Sequence, residues 1–226
     1  NDWKPGADAW QVHNYTENTP ERLVRDLERH IQEGGKPFVC LSAQKRGSQW
    51  GTCNLEAYLQ QQFPHAKILR IDSESLAEPT HPAYGCITSL NQVLGKYDIV
   101  LASPAIETGV SIDIRGHFTS VWGIAQGVQS ENSVRQALGR IRENLPRFLW
   151  VATYGFNRIG NGSTSIPSLL TSGQSLTQLN IRLLQQSDFD ALDDIEMDFQ
   201  AESLLCWAKM AVRLNASMLQ YRESVL

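Results

Sequence analysis

Apolar positions along this chain change period several times, and each change marks an element. Leu23, Leu27 and Ile31 recur at helical spacing behind Thr19-Pro20-Glu21, which offers a cap, a proline at the first helical position and an acid in the first turn. Gly34-Gly35 ends that helix. Residues 37–42 form a short, continuously apolar run, the pattern of a strand buried on both faces. A polar loop over 43–51 leads to a helix over about 53–63, and residues 67–71 read as the next strand. A loop rich in Ser, Pro and Glu continues through Tyr84, followed by a helix over about 87–94 and a second buried strand over 98–103. Further strands are expected at 119–125 and 147–152, with a helix over 131–142 between them, and residues 10–15 are a candidate strand near the start.

Strands alternating with helices predict an α/β fold with a parallel sheet flanked by helices. After about residue 155 the character changes. Residues 156–174 are rich in Gly, Ser, Asn and Pro and read as a linker or mobile loop; residues 175–226 read as a helical C-terminal extension with an acidic break at 188–198. The expected division is an α/β domain over 1–155, the linker, and the extension.

Composition narrows the function. The chain has 226 residues, 42% of them hydrophobic and 19% charged, ordinary proportions for a globular protein. No apolar run has the length of a membrane span, and no signal-peptide pattern is present. Cys40, Cys53, Cys86 and Cys206 are widely spaced, which argues against a disulfide framework or zinc site and for free thiols in a reducing cytoplasm. Net charge is −4, so nucleic-acid contact requires a local patch. The acidic residues Asp190, Asp193, Asp194, Glu196 and Asp198 lack EF-hand spacing, and no metal site is expected.

Two segments carry the chemistry. In Gln136-Ala137-Leu138-Gly139-Arg140-Ile141-Arg142, helical spacing puts Val134, Leu138 and Ile141 on a buried stripe and Gln136, Gly139 and Arg140 on the opposite edge, with Gly139 leaving space beside them. A glutamine and a guanidinium beside a glycine gap suit a phosphate. About two dozen residues earlier, Glu107-Thr108-Gly109-Val110-Ser111-Ile112-Asp113 follows the apolar strand, so a Gly-containing loop leaves a strand edge where open α/β sheets bind ligands.

Together with His117-Phe118, these segments resemble motifs V and VI of superfamily 2 helicases, in the second of their two RecA-like domains; herpesvirus-type replication-origin-binding helicases and plasmid replication helicases are the closer match. The resemblance covers roughly residues 36–153, its strong part 98–142. It implies a RecA-like fold in which Gln136 and one of Arg140 and Arg142 reach the γ-phosphate of ATP as catalytic groups. Arg142 stands two residues after Arg140, as in the origin-binding group, while Glu143 occupies the usual second-arginine position. The choice between the arginines stays open, with Arg140 favoured for sharing an edge with Gln136. Gly109, Ser111, Asp113 and Gly139 would lie toward the nucleotide, and Thr108 toward nucleic-acid phosphate. Ser42, Lys45 and Arg46, where motif IV sits, would grip single-stranded DNA, with Trp50 able to stack.

The chain has no Gly-x-x-x-x-Gly-Lys-Ser/Thr and no Asp-Glu box. ATP with Mg²⁺ is therefore expected to be held mainly by a preceding P-loop domain, with this half inactive alone. Two other readings fit the same fold. A non-catalytic RecA-like module would bind nucleic acid or a protein; a free-standing α/β enzyme would need an acid/base constellation at the strand ends, and none can be assembled from the residues.

Overall fold

A computed structural model of the chain describes residues 10–43, 47–103, 112–173 and 197–226. Its centre is a six-stranded sheet in which every pairing is parallel. The strands are β1 (Val12–Tyr15), β2 (Pro37–Leu41), β3 (Ile68–Ile71), β4 (Ile99–Ala102), β5 (Ser120–Ala125) and β6 (Arg147–Val151), in the order β1-β6-β5-β2-β4-β3. The continuous apolar runs behave as predicted: β2, β4 and β5 are buried at every position, because helices cover both faces.

Alternation along the strands divides the core in two. Val39, Leu41, Leu101, Trp122 and Ile124 face α1 (Glu21–Gln32) and α2 (Thr52–Gln62), meeting Leu23, Leu27, Leu55 and Leu59. A short α3 (Ser73–Ala77) follows β3. Phe38, Cys40, Val100, Val121 and Leu149 face the other way, onto α4 (Leu90–Leu94), α5 (Glu131–Leu138) and the C-terminal helices. At Gly123 the packing of α5 on β5 is closest. A β-carbon there would stand 2.6 Å from Leu149 Cδ1 and 3.0 Å from Leu138 Cδ2. Gly123→Ala is accordingly expected to cost about 1–3 kcal/mol, read as a lowered urea midpoint at unchanged slope.

The C-terminal part is α6 (residues 166–173), α7 (Met197–Leu219) and α8 (Tyr221–Val225). The stretch expected as a linker is tied to α7 over its described part. Asn215, fully buried, accepts from the Ile159 N–H at 2.7 Å and donates to the carbonyls of Ile159 and Ser163 at 3.0 and 2.8 Å. Leu169 of α6 packs with Ala208 and Ala211. Glycine here serves close approach: a β-carbon on Gly155 would overlap Met218, whose carbonyl accepts the Gly155 N–H. Among the described residues no helix is long and apolar enough to cross a membrane.

The strand order creates one place where the chain diverges. β2 departs toward β3 through α2 on one face, and β5 departs toward β6 through α5 on the other. Loops leaving the carboxyl ends of these neighbours therefore part, opening the switch point where sheets of this kind take ligands.

Candidate functional site

At the switch point, side-chain hydrogen bonds knit the two loops together. Ser42 Oγ, buried, accepts the Gln126 N–H at 2.8 Å, and Ser48 Oγ donates to Gln126 Oε1 at 2.8 Å. Ser42 thus joins the end of β2 to the end of β5. Trp50 is half-buried against the core beneath the loop. Beside these groups a crevice runs between α5 and the sheet, lined by Ser42, Ser103, Gln129, Ala137 and Arg140. Its interior of about 30 Å³ has room for about one water. Among the described residues this crevice is too small to enclose a nucleotide.

The two motif segments meet at their ends. Ile112, leaving the first, forms a parallel bridge with Ile141, leaving the second, and both are buried. Asp113, exposed, donates its N–H to Asn91 Oδ1 at 3.0 Å. The second segment departs from expectation in two ways. First, α5 ends at Leu138 with Gly139 as its cap, so Arg140 sits on the turn leaving the helix and does not share a regular helical edge with the exposed Gln136. Second, Gly139 borders no open gap, because a β-carbon there would stand 3.3 Å from the Trp10 ring. The buried stripe of Val134, Leu138 and Ile141 is as expected. Arg140 is half-buried, and Arg142 is exposed.

Arg147, missing from the sequence reading, holds the turn that follows the helix. It is 1% exposed at the start of β6, and its guanidinium donates to the carbonyls of Leu145 (2.7 Å), Ile141 (2.7 Å), Leu138 (3.4 Å) and Glu143 (3.4 Å). Trp10 lies over its carbon at 3.6 Å. Burial pulls its pKa down to about 10, so it stays charged at neutral pH. The Glu143 carboxylate accepts the Gly116 N–H at 3.1 Å, tying the same turn to the chain that enters β5. Burial pushes the Cys40 thiol up to about 12 against the opposing influence of Arg147 and Arg140, which keeps it inert inside β2. The one signal available in the sequence was an arginine opening an otherwise apolar strand.

A second buried charge holds the far side of the sheet edge. Asp72, fully buried after β3, accepts from Thr52 Oγ1 and Arg70 Nη1 at 2.6 Å each and from the Ser75 N–H at 2.8 Å. Arg70 also pairs with Glu56 at 2.8 Å. Burial alone would raise the Asp72 carboxyl, but the bonds from Thr52, Ser75 and Arg70 outweigh it and hold the pKa below the usual value. With the folded pKa below the unfolded value of about 3.9, its contribution is complete above that pH and is lost as pH falls through the folded value. The stability gap between the protein and Asp72→Asn is therefore expected to be constant near neutrality and to shrink below about pH 4, as denaturant titrations across that range would show.

Of the other expected site residues, Lys45, Arg46, Thr108, Gly109 and Ser111 lie outside the described residues, as do Asp190, Asp193, Asp194 and Glu196. His117 Nε2 lies 2.9 Å from the Tyr97 carbonyl, and Phe118 packs edge-on against Phe38, so this pair works in the core. Among the described residues no group of three or more His, Cys, Asp or Glu is placed to hold a metal ion.

These features define a parallel α/β domain with a crevice at the edge built from the loops after β2 and β5 and the turn after α5. No family model matches the chain. It is 42% identical over 216 residues to an uncharacterized protein of Picosynechococcus sp.; the match takes in 94% of this chain and 21% of that protein, so the chain spans about a fifth of this curated relative. Among solved structures it is similar to the Mycobacterium smegmatis helicase Lhr bound to ssDNA and AMP-PNP, with a TM-score of 0.41 and 13% identity over 66% of this chain and 20% of that one.

Proposed function

We propose that this chain is the second RecA-like motor domain of an ATP-dependent nucleic-acid helicase acting in DNA replication, of the kind its motifs resemble in origin-binding and plasmid replication helicases. The observation that carries the reading is the Ile112–Ile141 pairing, which sets the ends of the two motif segments side by side. Arg140, beside Ser103 and Gln129 at the mouth of the α5 crevice, is the group that would meet the γ-phosphate of ATP. Arg147 fixes the turn that carries it. The P-loop and the Asp-Glu box that bind phosphate and Mg²⁺ in such motors, which this sequence does not contain, would belong to another domain of the parent protein.

ATP supplies the free energy of phosphoryl transfer; this domain's part is to place a fixed positive charge where negative charge develops. Closure would bring Arg140 to the phosphate, and reopening would shift the strand held by the loops after β2 and β4. The test is ATP turnover of the full-length parent with and without single-stranded DNA. Stimulation by DNA supports the motor. A parent that binds DNA with no turnover would make this a binding module instead.

A further inference from the structure

Two aromatic rings stand in solvent on the loop after β6: Tyr154 is 63% exposed and Phe156 77%. Their backbone is held firmly. The Phe156 N–H donates to the Gly127 carbonyl at 2.8 Å and the Gly155 N–H to the Met218 carbonyl at 2.7 Å, while Asn157 Nδ2 donates to the Val128 carbonyl at 3.2 Å. Gly127 itself has φ of +79°, and a β-carbon there would stand 2.6 Å from the Tyr154 carbonyl oxygen. Large rings displayed to water on so constrained a loop lose apolar burial, which a binding partner would restore.

Charge identifies the partner. The chain has 24 acidic residues, yet the segments following β2, β5 and β6 (residues 42–51, 126–130 and 152–165) contain none, although the whole molecule is net negative. These strands are neighbours, so one stretch of the sheet's carboxyl edge is free of carboxylates in its sequence, with Arg158 exposed just past the rings. Of the carboxylates bordering this stretch on the β6 side, Glu17 forms an exposed ion pair with Arg22 and Glu131 accepts from Ser217. An acid-free edge suits a polyanion. The exposed apolar area is also small, with Val128 the one further exposed large hydrophobic side chain on these described loops, so it is sized for bases and not for a protein interface.

We propose that Tyr154 and Phe156 form a stacking platform for the bases of single-stranded nucleic acid, continuing past β5 and β6 the track begun at the switch point. This rests on the nucleic-acid reading given above. The test is fluorescence anisotropy of the full chain with a labelled oligothymidylate of about 16 nucleotides and with an abasic oligomer of equal length and charge. Stacking predicts about tenfold or greater preference for the oligothymidylate. Tyr154→Ala with Phe156→Ala should remove that preference and leave abasic binding unchanged. Tyr154→Phe should retain it, and Phe156→Leu, which keeps apolar bulk and the fold, should weaken it. Equal binding of both oligomers by the unaltered chain overturns the platform while leaving the nucleic-acid reading intact. Binding of neither oligomer overturns both.

Discussion

Alanine at position 140 is expected to cut ATP turnover of the parent protein by about three orders of magnitude or more, with nucleic-acid binding retained. An arginine acting on the transferring phosphoryl group contributes mainly in the transition state, so kcat should fall far more than KM rises. Arg140→Lys should restore little, because a single ammonium does not reproduce the planar fork. Arg142, exposed one residue past the Ile112–Ile141 bridge, is the internal comparison. Steady-state rates of the two alanine variants at saturating single-stranded DNA decide the matter. A few-fold loss in Arg140→Ala beside a collapse in Arg142→Ala would move the role to Arg142. Modest losses in both would remove the phosphate-facing reading of this turn.

The second large effect concerns stability. Arg147→Ala is expected to lower unfolding free energy by about 3 kcal/mol or more, since it strips donors from four carbonyls (Leu138, Ile141, Glu143 and Leu145) in a turn that water reaches poorly. The relief of no longer burying a charge offsets part of this loss. Arg147→Lys should recover only part of it, as three donors on one nitrogen cannot span carbonyls spread over two turns of chain. Urea unfolding of the three proteins gives the comparison. A midpoint unchanged in Arg147→Ala would mean that water replaces the guanidinium and that the turn holds itself.

What the sequence disclosed and concealed follows from where each signal resides. Strands β2, β4 and β5 were legible because burial on both faces leaves an unbroken apolar run. Helix α3 was not, because a five-residue helix has no apolar stripe; it depends on a capping box in which Asp72 and Ser75 exchange side-chain and backbone bonds. The helix expected to reach residue 142 stops at Leu138: the Arg140 N–H turns back to the Ala137 carbonyl, and the Leu138 and Ile141 carbonyls accept from Arg147. Periodicity registers side-chain burial and is blind to such competition for backbone acceptors. In the Gly/Ser/Asn stretch, Ile159 and Ser163 are bonded by the distant Asn215, and Gly155 just before it uses its smallness for docking on Met218; composition registers neither contact. At the site, Ser42 and Arg140 line one crevice, and the Gln126 N–H that Ser42 accepts lies 84 residues away along the chain, beyond the reach of local patterning.

The pairing of β1 with β6 bears on how the chain is assembled in time. The first strand of the sheet has no partner until residues 147–151 exist, and it is then clasped by Arg222, whose guanidinium donates to the carbonyls of Thr16 and Val151. That contact spans 206 residues. Closing so long a loop is entropically costly, so local βα units should condense around β2, β3 and β4 first, with the outer strand seated last. During synthesis β1 would wait unpaired, an edge open to mispairing until β6 arrives.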